Sequence, residues 1–409
     1  MKRKVHYLLF LLVQAPFLIQ AQGFQVNLQG QKQQGMGGAG AALMQDASAV
    51  FFNPGGLCFL HENSANAGVS PVISAGTFQE SGTYATAKTV SPVATPFAVY
   101  ATWAKDSTSK FRYGLGAYTP FGSTIIWENG WCGRFELTQI QLFAVFIQPT
   151  VSYRINDKWG VGAGFVYAAG KVDLEQDMPV QDQNGTYGHA AIKGSANGYG
   201  FNGGLYYKAC EKLNLGLTYR SQVTMNVSNG TATFTVPAAL SSSFPSGSFT
   251  SSLPLPQVVT LGAAYTLNPK LTLVADANFV GWSTYDTIQF KYAKTTPQLQ
   301  DTKLNRHYNN AYAFRLGGQY KVTDKFTGRL GMNYLISPVP DGHLTPDIPD
   351  ANRLNLTAGV SYNLCKRFTA DASFTFERLY RTGTDVQTNL TGTYKVLIYA
   401  PGISVIYKF

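Results

Sequence analysis

One hairpin pattern recurs along the chain and limits the folds that the chain can adopt. Each copy has a Tyr, an apolar residue two positions later, a polar turn, a basic residue and then an aromatic residue or Leu. This arrangement predicts two antiparallel strands joined by a tight turn. The five copies are YRINDKWGVG from Tyr153, YKACEKLNLG from Tyr207, YTLNPKLTLV from Tyr265, YKVTDKFTGR from Tyr320 and YNLCKRFTAD from Tyr362.

A sixth turn of similar kind follows Tyr100, in YATWAKDSTSKFRYGLG. Six turns join twelve strands, and one strand near Asn66 to Phe78 and another from Lys395 to the end bring the number to fourteen. Longer polar segments separate the hairpins on the other side. An even strand number, with short turns on one side and long loops on the other, is typical of bacterial outer-membrane barrels. The sequence therefore predicts an all-β membrane protein, a 14-stranded antiparallel transmembrane β-barrel.

Alternation within the predicted strands supports a barrel in lipid. In RLNLTAGVSY, from Arg353, apolar residues occupy every second position and polar residues or Gly occupy the others. A period of two with one apolar face predicts lipid outside and a polar lumen inside. FRLGGQY and FTGRLGMNY show the same pattern and place Arg315 and Arg329 on the lumen side. The chain ends in the aromatic residue Phe409, as is common for barrels inserted into the outer membrane.

The first residues predict export from the cytoplasm. Lys2, Arg3 and Lys4 precede an apolar run from Tyr7 to Ile19, and a small residue, Ala21, follows. This layout is typical of a cleavable secretory signal, and the run of about 13 residues is too short for a permanent membrane helix. We therefore expect residues 1–21 to be a signal peptide.

Composition excludes several other classes. The net charge of +10 is spread along the chain without a basic cluster, so no nucleic-acid partner is expected. The four cysteines are far apart and lack metal-type spacing, so neither a metal nor a cofactor is predicted. Whether any two of them form a disulfide stays open at this point. They are Cys58, Cys132, Cys210 and Cys365.

A glycine-rich stretch, GMGGAGAALMQDASAVFFNPGG from Gly35, has the spacing of a dinucleotide-binding turn. That site needs a preceding strand and a following βαβ unit, whereas hairpin-type strands follow here. Small residues instead permit backbones to pack closely in a confined space. We interpret residues 22–62 as an N-terminal hatch that plugs the barrel, and residues 63–409 as the barrel.

Several segments resemble the FadL family of outer-membrane transporters for long-chain fatty acids and other hydrophobic compounds. The resemblance covers essentially the whole mature chain and implies a 14-stranded monomeric barrel closed by a hatch. The matching segments are GFQVN at Gly23, NPGGL at Asn53, GWSTYDTI around Trp282, SPVPDGHLTPDIPDANR from Ser337 and the terminal YKF.

The resemblance also implies roles for individual residues. The Asn-Pro-Ala motif of the family's hatch corresponds to Asn53, Pro54 and Gly55, with Gly in place of Ala. In the family this turn meets a kink in the third strand, where a gap lets cargo leave sideways, and Pro120 is the candidate kink. Phe24, next to Gly23, matches a hatch segment that reaches the internal pocket.

Two further sets of residues are candidates for contact with cargo. The predicted external loop from Ser228 to Pro256 carries apolar side chains that could form a landing groove, or could pack on a small core of their own. The second long loop lies near Asp177 to Ala191. A carboxylate headgroup would bind a lumen arginine, and the candidates, which could equally pair with lumen acids, are Arg315, Arg329 and Arg353. The loop residues are Phe234, Val236, Leu240, Phe244, Phe249, Leu253 and Leu255.

The function predicted is passive transport of long-chain fatty acids or other hydrophobic compounds through the outer membrane, without catalysis. An aromatic hydrocarbon channel is the main alternative, since the sequence does not select the cargo. An outer-membrane enzyme would need a recognisable nucleophile and base, and a general porin would need an open lumen. Outer-membrane lipid, lipopolysaccharide and the barrel assembly machinery are the expected partners of the monomer.

Overall fold

The computed structural model describes residues 23–106 and 108–409. The predicted signal peptide, residues 1–21, therefore lies outside the described residues. None of the helices in the described part has the length and apolar character needed to cross a membrane. The strands are β1 Ser64–Val69, β2 Ile73–Glu80, β3 Thr86–Lys88, β4 Phe97–Trp103, β5 Phe111–Ile126, β6 Gln139–Arg154, β7 Trp159–Gln181, β8 Tyr187–Cys210, β9 Leu213–Arg220, β10 Val223–Thr235, β11 Gly247–Leu255, β12 Val258–Asn268, β13 Leu271–Val280, β14 Thr287–Tyr292, β15 Thr302–Asn305, β16 Ala311–Lys321, β17 Phe326–Leu335, β18 Arg353–Asn363, β19 Phe368–Thr384 and β20 Thr391–Lys408.

These segments form one closed antiparallel barrel of fourteen strands, as predicted. Six barrel strands are each interrupted once, so the pairs β1–β2, β3–β4, β9–β10, β11–β12, β13–β14 and β15–β16 count as one strand each. The barrel closes because β1 pairs with both β4 and β20. Closure leaves the sheet without a free edge strand, as lipid demands of a membrane-spanning sheet.

The repeated tyrosines belong to an aromatic belt beside the short turns. Tyr207 pairs in register with Trp159, and their rings stack with centroids 4.0 Å apart. Phe111 and Tyr153 make a similar pair with centroids at 4.7 Å. Because such girdles lie at the membrane interface, these rows mark the edge of the bilayer.

The alternation predicted for β18 is confirmed. Leu354 and Leu356 are about half exposed on the outer surface, whereas Asn355 and Thr357 are buried inside. The outer wall is thus apolar and the lumen polar, the reverse of a soluble protein.

The N-terminal segment, residues 23–62, contains the helices Gln31–Gln34 and Ala49–Phe52 and the 3-10 helix Pro54–Phe59. Its hydrogen bonds reach strands around the whole barrel. The Gly40 amide binds Asp276 on β13, the Gln34 side chain binds Thr375 on β19, and the Val50 carbonyl accepts from Gln148 on β6. Only a position inside the lumen allows these contacts together.

Glycine lets this segment pack against the inner wall. Gly37 has φ of +72°, and a Cβ there would overlap the carbonyl of Met332 on β17. Glycines of the wall make the matching close contact, because a Cβ at Gly331 would overlap the Gly37 backbone. The glycine run therefore serves backbone-to-backbone packing.

The four cysteines are unpaired. Cys58 is buried in the N-terminal segment, and Cys132, Cys210 and Cys365 are exposed.

Candidate functional site

An apolar cavity of about 80 Å³ lies between the strands on the side of the long loops. Its walls come from β5, β6, β7, β8, β10, β11, β14 and β15, and most of the side chains that these strands contribute are apolar. The side chains that define it include Leu142, Met225, Leu253, Leu255, Phe290 and Leu304. We call this the apolar pocket.

The charged lining of the apolar pocket consists of Lys171 and one buried ion pair. Nη2 of Arg306 lies 2.8 Å from Oδ2 of Asp347, and both side chains are buried. Nε of Arg306 is buried and has no hydrogen-bond partner among the described residues. A guanidinium with an unused donor beside apolar walls is suited to an amphiphile with an anionic head.

A second cavity of about 590 Å³ lies deeper in the barrel and extends to the wall. It is lined by residues 91–96 and by polar side chains of the lumen that include Arg353 and Glu377. We call this the wall cavity.

Phe24 lines both cavities. Its ring packs edge-on against Trp282 at 4.9 Å, Tyr285 at 5.5 Å and Phe121 at 6.0 Å between centroids. Phe24 is only 5% exposed in this cluster and, with Phe121, Leu142 and Ile348, which also line both cavities, it forms a partition between the apolar pocket and the wall cavity.

The barrel wall is irregular beside the wall cavity. The ladder between β4 and β5 ends at the pair Ala98 and Tyr118, and the next described backbone bond joins the Val90 amide to the Ile126 carbonyl. On the other side of β5, the register with β6 shifts between Tyr118 and Phe121. Pro120, the predicted kink, lies within that bulge.

The N-terminal segment occupies the inner side of this irregular wall. The Val26 amide donates to the Pro120 carbonyl at 2.9 Å, and the Gly122 amide donates to the Phe24 carbonyl at 3.2 Å. Phe24 is thereby joined both to the pocket cluster and to the wall.

Gly23 fixes the start of the segment. Its φ is +60°, and a Cβ would lie 2.8 Å from the Trp282 ring. Its amide donates to Oδ2 of Asp350 at 2.8 Å, and the same carboxylate accepts from Ser337 and forms an ion pair with Arg353.

The turn at Asn53, Pro54 and Gly55 lies elsewhere than the resemblance implied. The Asn53 side chain accepts from the Gly55 amide at 2.9 Å and donates to the carbonyls of Ala41 and Leu205. Gly55 packs against Gly204 on β8, and Pro54 against Gly162 on β7. The expectation that this turn meets the kink was wrong. Residues 24–26 contact the kink at Pro120 instead, because their backbone pairs with β5 where the ladder between β4 and β5 is interrupted.

The three predicted headgroup arginines all have protein partners. Arg315 donates to Gly38 O at 3.0 Å and to Asn27 Oδ1 at 2.8 Å. Arg329 binds Ser361, which in turn binds Asp371. Arg353 pairs with Asp350 and Glu377 and borders the wall cavity. These contacts agree with the alternative prediction, in which the arginines pair with groups of the lumen. None of the three arginines lines the apolar pocket.

The predicted loop from residue 228 to 256 is largely a strand extension. It forms the ends of β10 and β11, with a 3-10 helix at Ala238–Leu240 near the tip. Phe249 and Leu255 are 1% exposed, so for these two side chains the landing groove is wrong and the alternative, packing in a core, holds. Leu253 and Leu255 line the apolar pocket, and the remaining side chains are half-buried near the tip. These are Phe234, Val236, Leu240 and Phe244.

Sequence reasoning missed the charged pair of the pocket. Arg306 lies in the irregular stretch between β15 and β16, where there is no alternation to indicate whether a side chain faces the lumen or the lipid. Asp347 lies in the segment SPVPDGHLTPDIPDANR, so the resemblance of that segment was the available signal.

The comparisons with known proteins agree with this architecture. The model of the family described as outer membrane protein transport protein (OMPP1/FadL/TodX) matches residues 13–409. The chain belongs to this family. As a FadL-family member it is an outer-membrane protein.

Two groups of relatives carry informative names. The long-chain fatty acid transport protein of Escherichia coli K12 is 25% identical over 410 residues, which cover 90% of this chain and 89% of that protein. A FadL homologue of Pseudomonas aeruginosa superposes with a TM-score of 0.80 at 20% identity, covering 95% of this chain and all of the other. The toluene transporter TodX of Pseudomonas putida gives 0.72 at 19% identity, covering 96% and 99%. These structural likenesses show the fold.

Proposed function

We propose that the protein is a passive channel for long-chain fatty acids, with the N-terminal segment as its hatch. The observation that carries the proposal is the position of Phe24, which lies between the apolar pocket and the wall cavity and accepts a hydrogen bond from the wall at Gly122, beside the bulge at Pro120. Displacement of that one segment would join the pocket to the irregular wall.

Each stage of the route has a physical driving force. The half-buried tip, with Phe234 and Phe244, offers an apolar surface where cargo first binds. Each CH₂ that is buried in the apolar pocket, or in the wall cavity once Phe24 moves, stabilises the bound chain by about 0.8 kcal/mol. Lateral exit at the bulge around Pro120 then returns the cargo to lipid without exposing it to water, and the hatch turn at Asn53 stays attached to β7 and β8.

A carboxylic acid is favoured as cargo because of Arg306. Its unpartnered Nε can donate to a carboxylate, and such charge-assisted bonds are worth about 1.5–3 kcal/mol. Asp347 holds the guanidinium in place and balances its charge in the empty pocket.

Aromatic hydrocarbons are the second candidate. The rings of Phe121, Trp282 and Tyr285 pack edge-on against Phe24, and Phe121 and Tyr285 also line the apolar pocket, so a small aromatic molecule could join that cluster. Such cargo would gain nothing from Arg306.

The test compares palmitate with hexadecanol in binding to the purified barrel. The double variant Arg306→Gln/Asp347→Asn leaves no unpaired charge, and it should weaken palmitate about tenfold, the equivalent of roughly 1.4 kcal/mol, while leaving hexadecanol unchanged. Equal loss for both ligands would refute the headgroup role. Tighter binding of toluene than of either ligand would favour the hydrocarbon channel.

Transport is proposed in place of catalysis for two reasons: the name of the family, and the contacts of the described histidines, which do not include a serine or cysteine nucleophile. His189 contacts Glu175 and Asp177, His307 contacts Asp286, His343 contacts the Asn305 carbonyl, and His61 is exposed. Lipopolysaccharide contact, assembly by the barrel machinery and a monomeric state stay predictions.

A further inference from the structure

The lipid-facing surface has a groove on the wall formed by β13, β16, β17, β18 and β19. Small residues form its floor at Gly318, Gly328, Ala358 and Ala372, and larger exposed side chains border it. Two rows of register-paired residues cross the groove. The first row is Leu271, Tyr320, Gly328, Val360 and Ala372. The second row is Leu273, Gly318, Leu330, Ala358 and Phe374.

The groove is open and apolar. Leu330 is 71% exposed and Tyr320 is 47% exposed, so both stand out from the wall. A Cβ added at Gly328 would meet no atom within 4 Å. The space over Gly328 can therefore accept an extended chain from the surrounding membrane.

Three short turns adjoin the groove, and all of them carry exposed cations. Their backbones are adjacent, since the Lys321 amide donates to the Lys270 carbonyl at 2.8 Å and the Asn363 amide to the Lys325 carbonyl at 2.9 Å. One acid is present in these turns, Asp324, which pairs with Lys321. The five cations are Lys270, Lys321, Lys325, Lys366 and Arg367.

The position of the turns identifies the leaflet. Short turns of outer-membrane barrels face the periplasm. The inner leaflet there consists of phospholipid, whose phosphates lie at the level of the interfacial aromatic belt. Tyr320 and Tyr362 belong to that belt on this wall.

We propose that this groove binds one anionic phospholipid of the periplasmic leaflet. One acyl chain lies over Gly328 between Tyr320 and Val360, and the phosphate lies among the lysines of the turns. Clustered Lys and Arg beside a membrane attract anionic headgroups.

The groove lies back to back with the packing of the N-terminal segment. On the inner face of the same strands, Gly317 and Gly331 contact Met36, and Gly359 contacts Gly35. A lipid held outside thus supports the section of wall against which the segment packs inside.

The test is native mass spectrometry of the full barrel after exchange into an equal mixture of phosphatidylglycerol and phosphatidylcholine. The wild type should retain one phosphatidylglycerol in preference to phosphatidylcholine. Gly328→Leu should fill the groove and abolish that retention. The variant should still fold, because a Cβ added at Gly328 meets no atom within 4 Å. Each of Lys270→Gln, Lys321→Gln and Lys325→Gln should lower the preference, roughly fivefold per lysine if all contact the phosphate.

The matched control is Lys110→Gln/Lys158→Gln, which removes two exposed cations from turns away from the groove. It should leave retention unchanged. Equal retention of the two lipids by the wild type, undiminished retention by Gly328→Leu, or an equal loss in the control would overturn the proposal.

Discussion

The backbone amide of Gly23 donates a 2.8 Å hydrogen bond to Oδ2 of Asp350, 327 residues away in the chain. This bond ties the first described residue to the segment that also carries Asp347 of the apolar pocket. Since Phe24 follows immediately, the carboxylate sets where the partition between the two cavities stands. Arg353 keeps the carboxylate in place from the other side.

Removing that carboxylate should loosen the partition. We expect Asp350→Ala to weaken palmitate binding about tenfold, because a hydrogen bond to a charged group is worth about 1.5–3 kcal/mol and Phe24 would lose its fixed position. Ligand titration by tryptophan fluorescence checks this, with Trp282 as the reporter nearest to Phe24. Asp341→Ala is the control, since that carboxylate is fully exposed in the same segment. Unaltered affinity in Asp350→Ala would show that Phe24 is held without the bond.

The Asn53 side chain should stabilise the N-terminal segment without affecting the barrel. Asn53→Ala removes the donor to the carbonyls of Ala41 and Leu205 and the acceptor of the Gly55 amide, at a cost of about 1–3 kcal/mol for each buried group left without a partner. We expect faster hydrogen exchange in residues 40–56, reduced fatty acid uptake and an unchanged heat-modifiable barrel band on gels. Exchange at the wild-type rate would mean that glycine packing alone holds the turn.

Arg315 should act through the N-terminal segment and not on the cargo. It donates to Gly38 and Asn27 and lies in register with Asp276, whose carboxylate accepts from the Gly40 and Ala41 amides. Breaking a buried charge arrangement costs about 3–5 kcal/mol, so Arg315→Ala should release residues 37–41. Palmitate and hexadecanol should then bind less well by the same factor. A loss confined to palmitate would instead make Arg315 a headgroup ligand.

The segment between β5 and β6 should lose protection as the pH rises. Burial raises the pKa of Glu136 to about 8; the Thr388 hydrogen bond lowers it, and the charges of Asp385 and Asp347 raise it further. The unfolded segment has the ordinary pKa of 4.5, so the closed form loses stability between about pH 4.5 and pH 8 and is constant above.

Hydrogen-exchange protection factors for residues 128–138, corrected for intrinsic rates, measure this effect. They should fall across that pH window in the wild type. Glu136→Gln keeps a hydrogen-bonding group beside Thr388 and should give a flat profile. A matching decline in the variant would assign the effect to another group.

The strand number and the facing of side chains could be predicted from the sequence because both are local. The turn repeat counts the hairpins, and the alternation in β18 correctly predicts that Asn355 faces inside and Leu354 faces outside. Alternation also assigns Arg315 and Arg329 correctly to the lumen, where both side chains are buried.

The site could not be predicted in the same way, because its contacts join distant and irregular stretches. Arg306 lies where a barrel strand is interrupted, so no periodicity indicates its direction. The contact of Phe24 with Trp282 and the bond from Val26 to Pro120 depend on how the N-terminal segment threads the lumen. The apolar stretch after Ser228 looked like a loop because its Ser, Pro and Gly content is unusual for strands, yet pairing with β8 and β14 orders it.

The most direct test of lateral release is to map the path with a photoreactive fatty acid in proteoliposomes and locate the adducts by mass spectrometry. The account predicts adducts in the apolar pocket, at residues such as Leu253 and Phe290, and at the irregular wall in residues 91–96 and 120–125. Adducts at residues 57–62 on the periplasmic side, with none at the wall, would show that cargo passes straight through the barrel and would contradict the account.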